Sequence, residues 1–306
     1  MMAKFRDSTL QGSAGAGGAA PSEKAASVHD RSIGAIISET RNLSAEQVEQ
    51  ILAYQHERGV RFGEAAIALG FASADDVLLA LAEQFHYPYA PEERRKISPE
   101  LVALNQPFSH QAEAFRAIRS QVMMRVFGEN ESPRRALAVV SPDSGDGKTF
   151  FAANLAVTLA QLGGRTLLVD ADLRGPRQHL VFNIENGAGL SGILSGRLES
   201  QVIQQIQGVP SLFVLPVGIV PPNPLELIER PAFGLLMREL TAKFDHVVVD
   251  TPAAIYGADA PVIASRCGAA LVLARKNASR IGALQDLVAI LSETPAKMAG
   301  VIMNEY

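Results

Sequence analysis

Three short segments of this 306-residue chain carry residues whose types and spacing suit phosphate and metal chemistry. They are Ser141-Pro142-Asp143-Ser144-Gly145-Asp146-Gly147-Lys148-Thr149, Val169-Asp170-Ala171-Asp172-Leu173-Arg174 and Val248-Val249-Asp250-Thr251-Pro252. A glycine-rich loop turns successive backbone N–H groups toward one phosphate, and carboxylates opposite the loop hold the metal that phosphoryl transfer needs. The three segments together predict a nucleotide-phosphate site with its magnesium carboxylates.

The first segment has the sequence context of a phosphate-binding loop. It follows the apolar run 136–140 and opens a helical pattern over 149–162, so that a helix start adds its positive dipole end. Lys148 is expected to reach the β- and γ-phosphates, and the Thr149 hydroxyl to bind Mg²⁺. Pro142 departs from the usual motif, which has its first glycine there. The predicted nucleotide-binding residues are Ser144, Gly145, Asp146, Gly147, Lys148, Thr149 and Phe150.

The elements that must position these residues are short apolar strands that alternate with helices. Strands are predicted near 136–141, 165–170, 211–216, 245–250, 268–274 and 298–303, and helices near 148–163, 188–196, 224–243, 259–267 and 279–293. This alternation predicts an α/β fold with a mostly parallel sheet that is covered by helices on both faces. Ligands bind at the carboxyl ends of such strands. The predicted strand ends carry Asp143, Asp170, Asp172 and Asp250.

The composition limits the classes of partner and compartment. A formal net charge of -4 gives no reason to expect nucleic acid as a partner. No apolar run approaches the ~20 residues that a membrane helix needs, so membrane association is expected only through a partner protein. The single cysteine, Cys267, lies beside the apolar run 268–274 and is expected to be a small buried hydrophobe. A reduced, cytoplasmic location is the simplest interpretation.

Changes in composition along the chain predict four regions. Residues 1–29 lack hydrophobic periodicity and are predicted to be a disordered tail. Residues 30–90 carry helical spacing in a tandem repeat, and residues 91–107 are predicted to be a linker. The P-loop domain is predicted over 108–306, beginning with a helix near 109–127.

The tandem repeat consists of two 24-residue copies, in which Ser32 aligns with Arg61. The segment resembles the N-terminal domain of type II secretion and pilus ATPases, whose tandem motif can bind cyclic di-GMP. The resemblance implies Arg61, Gly63, Gly70 and Gln84 as contacts to such a ligand. The first copy has Ser32 where the motif has Arg, which removes a charge-assisted contact to a phosphorylated ligand. We therefore favour a helical interaction module whose periodic residues form its core.

The motifs of the second domain, taken together, resemble those of the bacterial tyrosine kinases, which use a ParA/MinD-like P-loop fold. The resemblance rests on the three strand-end segments and on an upstream Glu-x-x-Arg-x-x-Arg helix, and it covers about residues 105–306. With the secretion-ATPase-like module in front, the whole chain resembles the EpsG-type branch of exopolysaccharide loci. In that branch the kinase is a free cytoplasmic protein paired with a membrane chain-length determinant.

The resemblance implies a role for each strand-end residue. Lys148 and Thr149 would grip the phosphates and the metal. Asp170 and Asp172 would hold the metal region and help to deprotonate a tyrosine, whose hydroxyl is a poor nucleophile at a pKa near ~10. Asp250 would support Mg²⁺ through water. Which aspartate is the base stays open. Arg174 is expected either to neutralise developing phosphate charge or to pair with an aspartate.

The upstream helix carries Glu113, Arg116 and Arg119 near one face. These residues match the family's ring-forming helix, which implies an oligomer whose subunits phosphorylate their neighbours. The alternative is an ordinary solvated face with one Glu to Arg pair.

Two functions remain open from the sequence. The first is an ATP- and Mg²⁺-dependent protein tyrosine kinase that acts on itself or its partners and controls exopolysaccharide chain length and export. The second is a ParA/MinD-like ATPase that serves the same machinery as a nucleotide-switched adaptor. In both, the expected partner is the cytoplasmic tail of the membrane determinant. Family members end in a tyrosine-rich cluster, whereas this sequence ends in Tyr306 alone, the candidate phosphoacceptor.

Overall fold

The structure, a computed structural model, describes residues 32–84, 98–128, 133–197 and 201–305. The predicted tail over 1–29, the first part of the predicted linker and Tyr306 lie outside the described residues. Within these ranges no helix is both long enough and apolar enough to cross a membrane.

Residues 32–84 form four helices, which we call the helical module. They are α1 (Ile33–Thr40), α2 (Ala45–Arg58), α3 (Phe62–Ala68) and α4 (Ala74–Gln84). Helix α2 starts in a complete capping box, because the Ser44 hydroxyl accepts from the Gln47 N–H and the Gln47 side chain accepts from the Ser44 N–H. Gly59 ends α2 in the left-handed conformation, with φ 64°. Local chemistry thus sets both ends of this helix.

The two copies of the repeat pack across each other, with α1 against α4 and α2 against α3. Buried Ile36, Ile37 and Ile51 contribute to their common core. A Cβ on Gly63 would lie 2.8 Å from a Val77 methyl carbon, so a close helix contact requires glycine there. A Cβ on the aligned Gly34 would lie 3.5 Å from the Phe62 ring. The repeated glycines are therefore packing positions.

The described residues from 98 onward form a seven-stranded sheet in the order β3-β4-β2-β5-β1-β6-β7. The strands are β1 (Ala136–Val140), β2 (Thr166–Asp170), β3 (Gln204–Gln205), β4 (Leu212–Leu215), β5 (His246–Asp250), β6 (Gly268–Arg275) and β7 (Lys297–Asn304). All pairs are parallel except β3 with β4. Parallel pairing brings the carboxyl ends of β1, β2 and β5 together at one edge.

Helices cover both faces of this sheet, as the apolar strands require. They are α5 (Val102–Asn105), α6 (His110–Arg125), α7 (Lys148–Ala160), α8 (Gln178–Phe182), α9 (Leu190–Leu194), α10 (Pro224–Glu229), α11 (Pro231–Lys243), α12 (Asp259–Cys267) and α13 (Ile281–Ser292). One core lies under α5 to α8 and the other under α9 to α13. Successive β1 residues, Leu137 and Ala138, contribute to opposite cores. The predicted α/β architecture is confirmed.

Three local features differ from the sequence predictions. The helix predicted over 224–243 is two helices, because Pro231 forces Arg230 into an extended conformation with ψ 144°. Residues 98–107 were assigned to the linker, but buried Leu101 and Leu104 pack into the core beside α7. The short α8 and the two-residue β3 were not predicted, because neither is long enough to show a hydrophobic period.

Candidate nucleotide site

The P-loop connects β1 to α7, whose first residue is Lys148. Gly145 and Gly147 have φ of 84° and 96°, the left-handed region in which glycine is unstrained. The Lys148 side chain is 7% exposed, and its Nζ donates to the Ser141 hydroxyl at 3.0 Å. The loop therefore holds its lysine folded back along its own backbone, at the start of a 13-residue helix.

Asp146 anchors the loop from its far side. Its carboxylate accepts from the Asp143 N–H at 3.0 Å and from the Ser279 hydroxyl at 2.8 Å. Its carbonyl oxygen accepts from the Asn304 side chain at 3.0 Å. A Cβ on Gly147 would lie 2.5 Å from that same amide nitrogen, so a larger residue there would displace the Asn304 side chain. The nucleotide contact that the sequence predicts for Asp146 stays a prediction, and these bonds show its structural role in the loop.

Asp170, at the end of β2, is fully buried. Its Oδ1 accepts from the Asp172 N–H at 3.2 Å, and its Oδ2 accepts from the N–H groups of Arg177 and Gln178 at 3.2 and 3.0 Å. Burial raises the pKa of this carboxyl well above its usual value, and the neighbouring Asp250 raises it further. The two aspartates are partners in the β2–β5 register, which explains their proximity.

Asp172 is partly exposed and shapes the loop that follows. Its Oδ1 accepts from the Arg174 and Gly175 N–H groups at 3.1 and 2.9 Å. The Arg174 guanidinium makes a two-point ion pair with Asp259, from Nε at 3.2 Å and from Nη2 at 3.0 Å. Asp259 is 2% exposed, so this pair anchors Arg174 to the start of α12. Of the two sequence-based alternatives for Arg174, pairing with an aspartate is the one that the described geometry contains.

Asp250, at the end of β5, lies between Thr149 and Gln178. Its Oδ2 accepts from the Gln178 amide at 2.9 Å. Burial raises the pKa of Asp250 to about 6, although the nearby Thr149 side chain and the Lys148 charge oppose the shift. The second Gln178 N–H donates to the Thr149 carbonyl at 3.1 Å.

The strand-end residues of all three segments thus meet at one edge of the sheet. Mg²⁺ binds through one or two protein oxygens together with phosphates and waters, and the Thr149 hydroxyl and the Asp250 carboxylate are groups of that kind. The residues present therefore fit a magnesium ion with a nucleotide. Phe150, which the sequence predicts at the nucleotide site, packs its ring against Phe115 with centroids 5.8 Å apart, so its side chain contributes to the core under α6.

Sequence reasoning missed three residues of this site: Gln178, Ser279 and Asn304. Gln178 lies in a five-residue helix, and nothing in its sequence neighbourhood indicates that this polar side chain is buried. Ser279 and Asn304 follow or end strands at the same sheet edge as the P-loop, which is the signal that could have found them.

The predicted oligomerisation residues make contacts within the single chain. Glu113 and Arg116 form an ion pair at 2.7 Å, and Arg116 also donates to the Pro107 carbonyl. Arg119 donates to the Thr158 carbonyl of α7 at 2.9 Å. The two arginines therefore tie α6 to its surroundings.

The fold and the site define a P-loop nucleotide-binding protein of the MinD/ParA class. The family model for the CobQ/CobB/MinD/ParA nucleotide binding domain matches residues 137–306. The MinD septum site-determining protein of Pyrococcus horikoshii, solved in complex with Mg-ADP, superposes with a TM-score of 0.50 at 25% identity, over 56% of this chain and 70% of that one. The superposition supports the assignment of the fold to this class.

Relatives with higher sequence identity define a narrower family within this class. CapB of Staphylococcus aureus is 34% identical over 70% of this chain and 92% of its own, and the tyrosine-protein kinase YwqD of Bacillus subtilis is 33% identical over 68% and 87%. The kinase domain of Escherichia coli tyrosine kinase ETK superposes with a TM-score of 0.64 at 32% identity, covering 69% of this chain and 81% of that one. Other curated relatives are much longer, and the chain spans only 28% of Etk. The chain belongs to the bacterial tyrosine-protein kinase family.

Proposed function

We propose that the protein is an ATP-dependent protein tyrosine kinase that acts in exopolysaccharide production. The observation that carries this proposal is the meeting of Lys148, Thr149, Asp172 and Asp250 at one sheet edge, in a chain that belongs to the tyrosine kinase family. Lys148 would bind the phosphates as a point charge, and the P-loop N–H groups would surround them. When bound, Mg²⁺ neutralises charge on the β- and γ-phosphate oxygens.

Asp172 is the best candidate for the carboxylate that accepts the tyrosine proton. A tyrosine hydroxyl needs such an acceptor, since its pKa lies near ~10. Asp170 is fully buried and its two oxygens already accept three backbone N–H groups, whereas Asp172 is partly exposed. Arg174 would position the Asp172 loop through its ion pair with Asp259.

The proposed partner is the cytoplasmic tail of a membrane chain-length determinant, which would bring the protein to the membrane and control polymer length and export. We also propose self-association in a ring through α6. The Glu113 side chain is 70% exposed and offers a charge to a neighbouring subunit. In such a ring, the intrachain contacts of Arg116 and Arg119 would either remain or be replaced by contacts to the neighbouring subunit.

For the helical module we propose protein interaction rather than cyclic di-GMP binding. Gly63 has a packing role against Val77, and Gly70 has a turn role with φ 74°, so neither needs a ligand to explain it. Arg61 and Gln84 are exposed and remain the groups that a cyclic dinucleotide would contact. Calorimetric titration of the full chain with cyclic di-GMP tests this choice, and saturable binding that Arg61→Ala abolishes would reverse it.

The kinase proposal is tested by mapping phosphotyrosine with mass spectrometry after incubation with Mg²⁺ and ATP, with and without the partner's tail. Lys148→Met is the inactive control. Tyr306 is one candidate acceptor. Tyr256 is another, since it is 54% exposed on a 3-10 turn, Ala254–Tyr256, whose N–H groups bond to the P-loop carbonyls of Ser141 and Pro142.

The outcomes separate the two candidate functions. Phosphotyrosine that disappears in Lys148→Met supports the kinase, and the Tyr306→Phe and Tyr256→Phe variants then identify the acceptor. ATP turnover, or nucleotide-dependent binding to the partner's tail, without any phosphotyrosine contradicts the kinase and favours the nucleotide-switched adaptor.

A further inference from the structure

Two fully buried residues at the nucleotide site have side-chain oxygens without a hydrogen-bond partner. Among the described residues, the buried side-chain atoms in this condition are Asn105 Oδ1, Gln161 Oε1, Gln178 Oε1, His179 Nδ1 and Asp250 Oδ1. Of the five residues, Gln178 and Asp250 are 0% exposed, and the other three are partly exposed. Buried polar atoms in native proteins are almost always paired, so two fully buried exceptions side by side at a ligand site are candidate contacts to the ligand, its ion or its waters.

The two residues are direct neighbours, since the Gln178 amide donates to Asp250 at 2.9 Å. The orientation of this amide is fixed by chemistry. Its nitrogen has two N–H donors, and both point at acceptors, Asp250 Oδ2 and the Thr149 carbonyl. The reversed amide would place its oxygen against two other oxygens. The unpaired atom of Gln178 is therefore an acceptor, and what it lacks is a donor.

The position of the amide indicates what this donor is. Thr149 and Asp250 are the residues that fit a magnesium ion, and Gln178 bonds to both of them. Mg²⁺ dehydrates reluctantly and keeps several waters, and a metal ion makes its bound water more acidic and thus a stronger donor. Two unpaired acceptors beside the site match the donors that such waters present.

We infer that Gln178 is a positioning residue for the magnesium of this site. Its N–H groups hold Asp250 and the first turn of α7 in place, and its carbonyl oxygen accepts a hydrogen bond from a metal-bound water. The unpaired oxygen of Asp250 accepts a second hydrogen bond from such a water. This inference rests on the nucleotide and magnesium site of the proposed function, and it does not depend on whether tyrosine is the phosphate acceptor.

Asn154 provides a matched control, because it is a second 0% exposed amide that has every partner it needs. Its Oδ1 accepts from the Ala103 N–H at 2.9 Å, and its nitrogen donates to the carbonyls of Glu100 and Phe150, both at 2.9 Å. It lies on α7, as Thr149 does, and connects that helix to α5. Asn154 is thus a structural amide in the same domain.

The test measures metal affinity directly in the full chain. Free Mn²⁺ is quantified by electron paramagnetic resonance in the presence of saturating ADP, and ADP affinity is measured separately in EDTA. In Gln178→Met, which keeps the side-chain volume, the Mn²⁺ dissociation constant should rise about 10-fold or more, as for other residues that orient metal ligands. ADP affinity in EDTA should stay within about twofold. Asn154→Leu should lower the melting temperature and leave Mn²⁺ affinity unchanged.

Two results would overturn the inference. One is an unchanged Mn²⁺ affinity in a folded Gln178→Met protein. The other is an equal loss of ADP affinity with and without metal, which would mean that Gln178 shapes the P-loop rather than the metal site. If Gln178→Met does not fold, Gln178→Asn replaces it and the same two criteria apply, since the shorter amide cannot reach both partners. Wild-type protein that binds Mn-ADP without forming phosphotyrosine would contradict the kinase proposal alone.

Discussion

Polar side chains have opposite roles in the helical module and in the nucleotide site. In the module they lie at the surface and are paired: Ser44 with Gln47, and Ser73 with Asp76, whose carboxylate also binds Arg41. In the site, Asp170, Asp250 and Gln178 are fully buried, and two of the three keep an unpaired oxygen. A paired surface cap stabilises a helix, whereas a buried charge without full pairing destabilises the fold.

The difference separates residues that serve the fold from residues that serve a ligand. Removing a module cap should lower stability and leave nucleotide chemistry intact. Removing a buried carboxylate of the site should raise stability and impair nucleotide chemistry, because proteins keep destabilising groups where function needs them. The predictions below test this contrast.

The largest effect is expected from Lys148→Met. The lysine is 7% exposed and bonds to Ser141, so its charge is held inside the loop where phosphates would bind. Removing it should reduce the rate of ATP-dependent phosphoryl transfer by about 10²- to 10³-fold, the usual loss for one preorganised charge-stabilising donor. The rate of phosphotyrosine or phosphate formation measures this. Lys243→Met removes a lysine on the exposed end of α11 and should leave the rate unchanged; equal losses would contradict the assignment.

The next effect is expected in the core of the module. Ile37 is 0% exposed, and Ile37→Ala should destabilise the module by about 2 to 5 kcal/mol through lost burial and a cavity. Hydrogen exchange of the amides over 33–84 measures the local loss, while ADP and Mn²⁺ affinities should stay within about twofold. Ile67→Ala on the exposed face of α3 is the control, with a change within about 0.5 kcal/mol. A large loss of metal affinity in Ile37→Ala would contradict the proposed separation between residues that serve the fold and residues that serve a ligand.

The sequence predicted most of the sheet and the charged residues of the site, for a physical reason. A buried parallel strand is an unbroken apolar run, and its carboxyl end is where a loop residue meets ligand, so Lys148, Asp170 and Asp250 stand out from their neighbours. Gly145 and Gly147 stand out because few other residues adopt positive φ. These signals are local and need no knowledge of the rest of the chain.

The residues that the sequence did not reveal depend on long-range contacts. The polar side chain of Gln178 is buried where it bonds to Thr149 and Asp250, which lie 29 and 72 positions away. Asn304 meets Asp146 across 158 positions. The buried α5 resembles a linker because four residues show no period, whereas the break before Pro231 follows from a local rule, since proline disfavours helix at the preceding residue. Local pattern cannot report which distant partner a side chain has.

The third prediction concerns Asp250→Asn and its dependence on pH. The folded-state pKa is raised to about 6, above the ~3.9 of an unfolded aspartate, so the folded protein binds this proton more tightly. The resulting stability is present below about pH 4 and is lost as pH rises through 6. Without nucleotide and metal, wild-type protein should therefore lose as much as roughly 3 kcal/mol relative to Asp250→Asn between pH 4 and 7.5.

Urea unfolding of both proteins at pH 4 and 7.5 measures this difference, and Mn²⁺ titration with ADP measures the functional loss. Asp250→Asn should be the more stable protein at pH 7.5 and the weaker metal binder. If wild-type protein is the more stable one at pH 7.5, then Asp250 is a structural group and the contrast with the module fails. Asp245→Asn, on the exposed residue just before β5, controls for a general loss of negative charge.

The smallest effect is expected from the module caps. Ser44→Ala removes the hydroxyl that accepts from the Gln47 N–H and should cost about 1 kcal/mol. Ser73→Ala removes two bonds to Asp76, one accepted from its N–H and one donated to its carboxylate at 2.6 Å, and should cost somewhat more. Hydrogen exchange over 45–58 and 74–84 measures the two helices separately. Because these caps satisfy helix ends and face solvent, neither variant should move Mn²⁺ or ADP affinity, and a shift in either affinity would show that the module and the site share one energetic network.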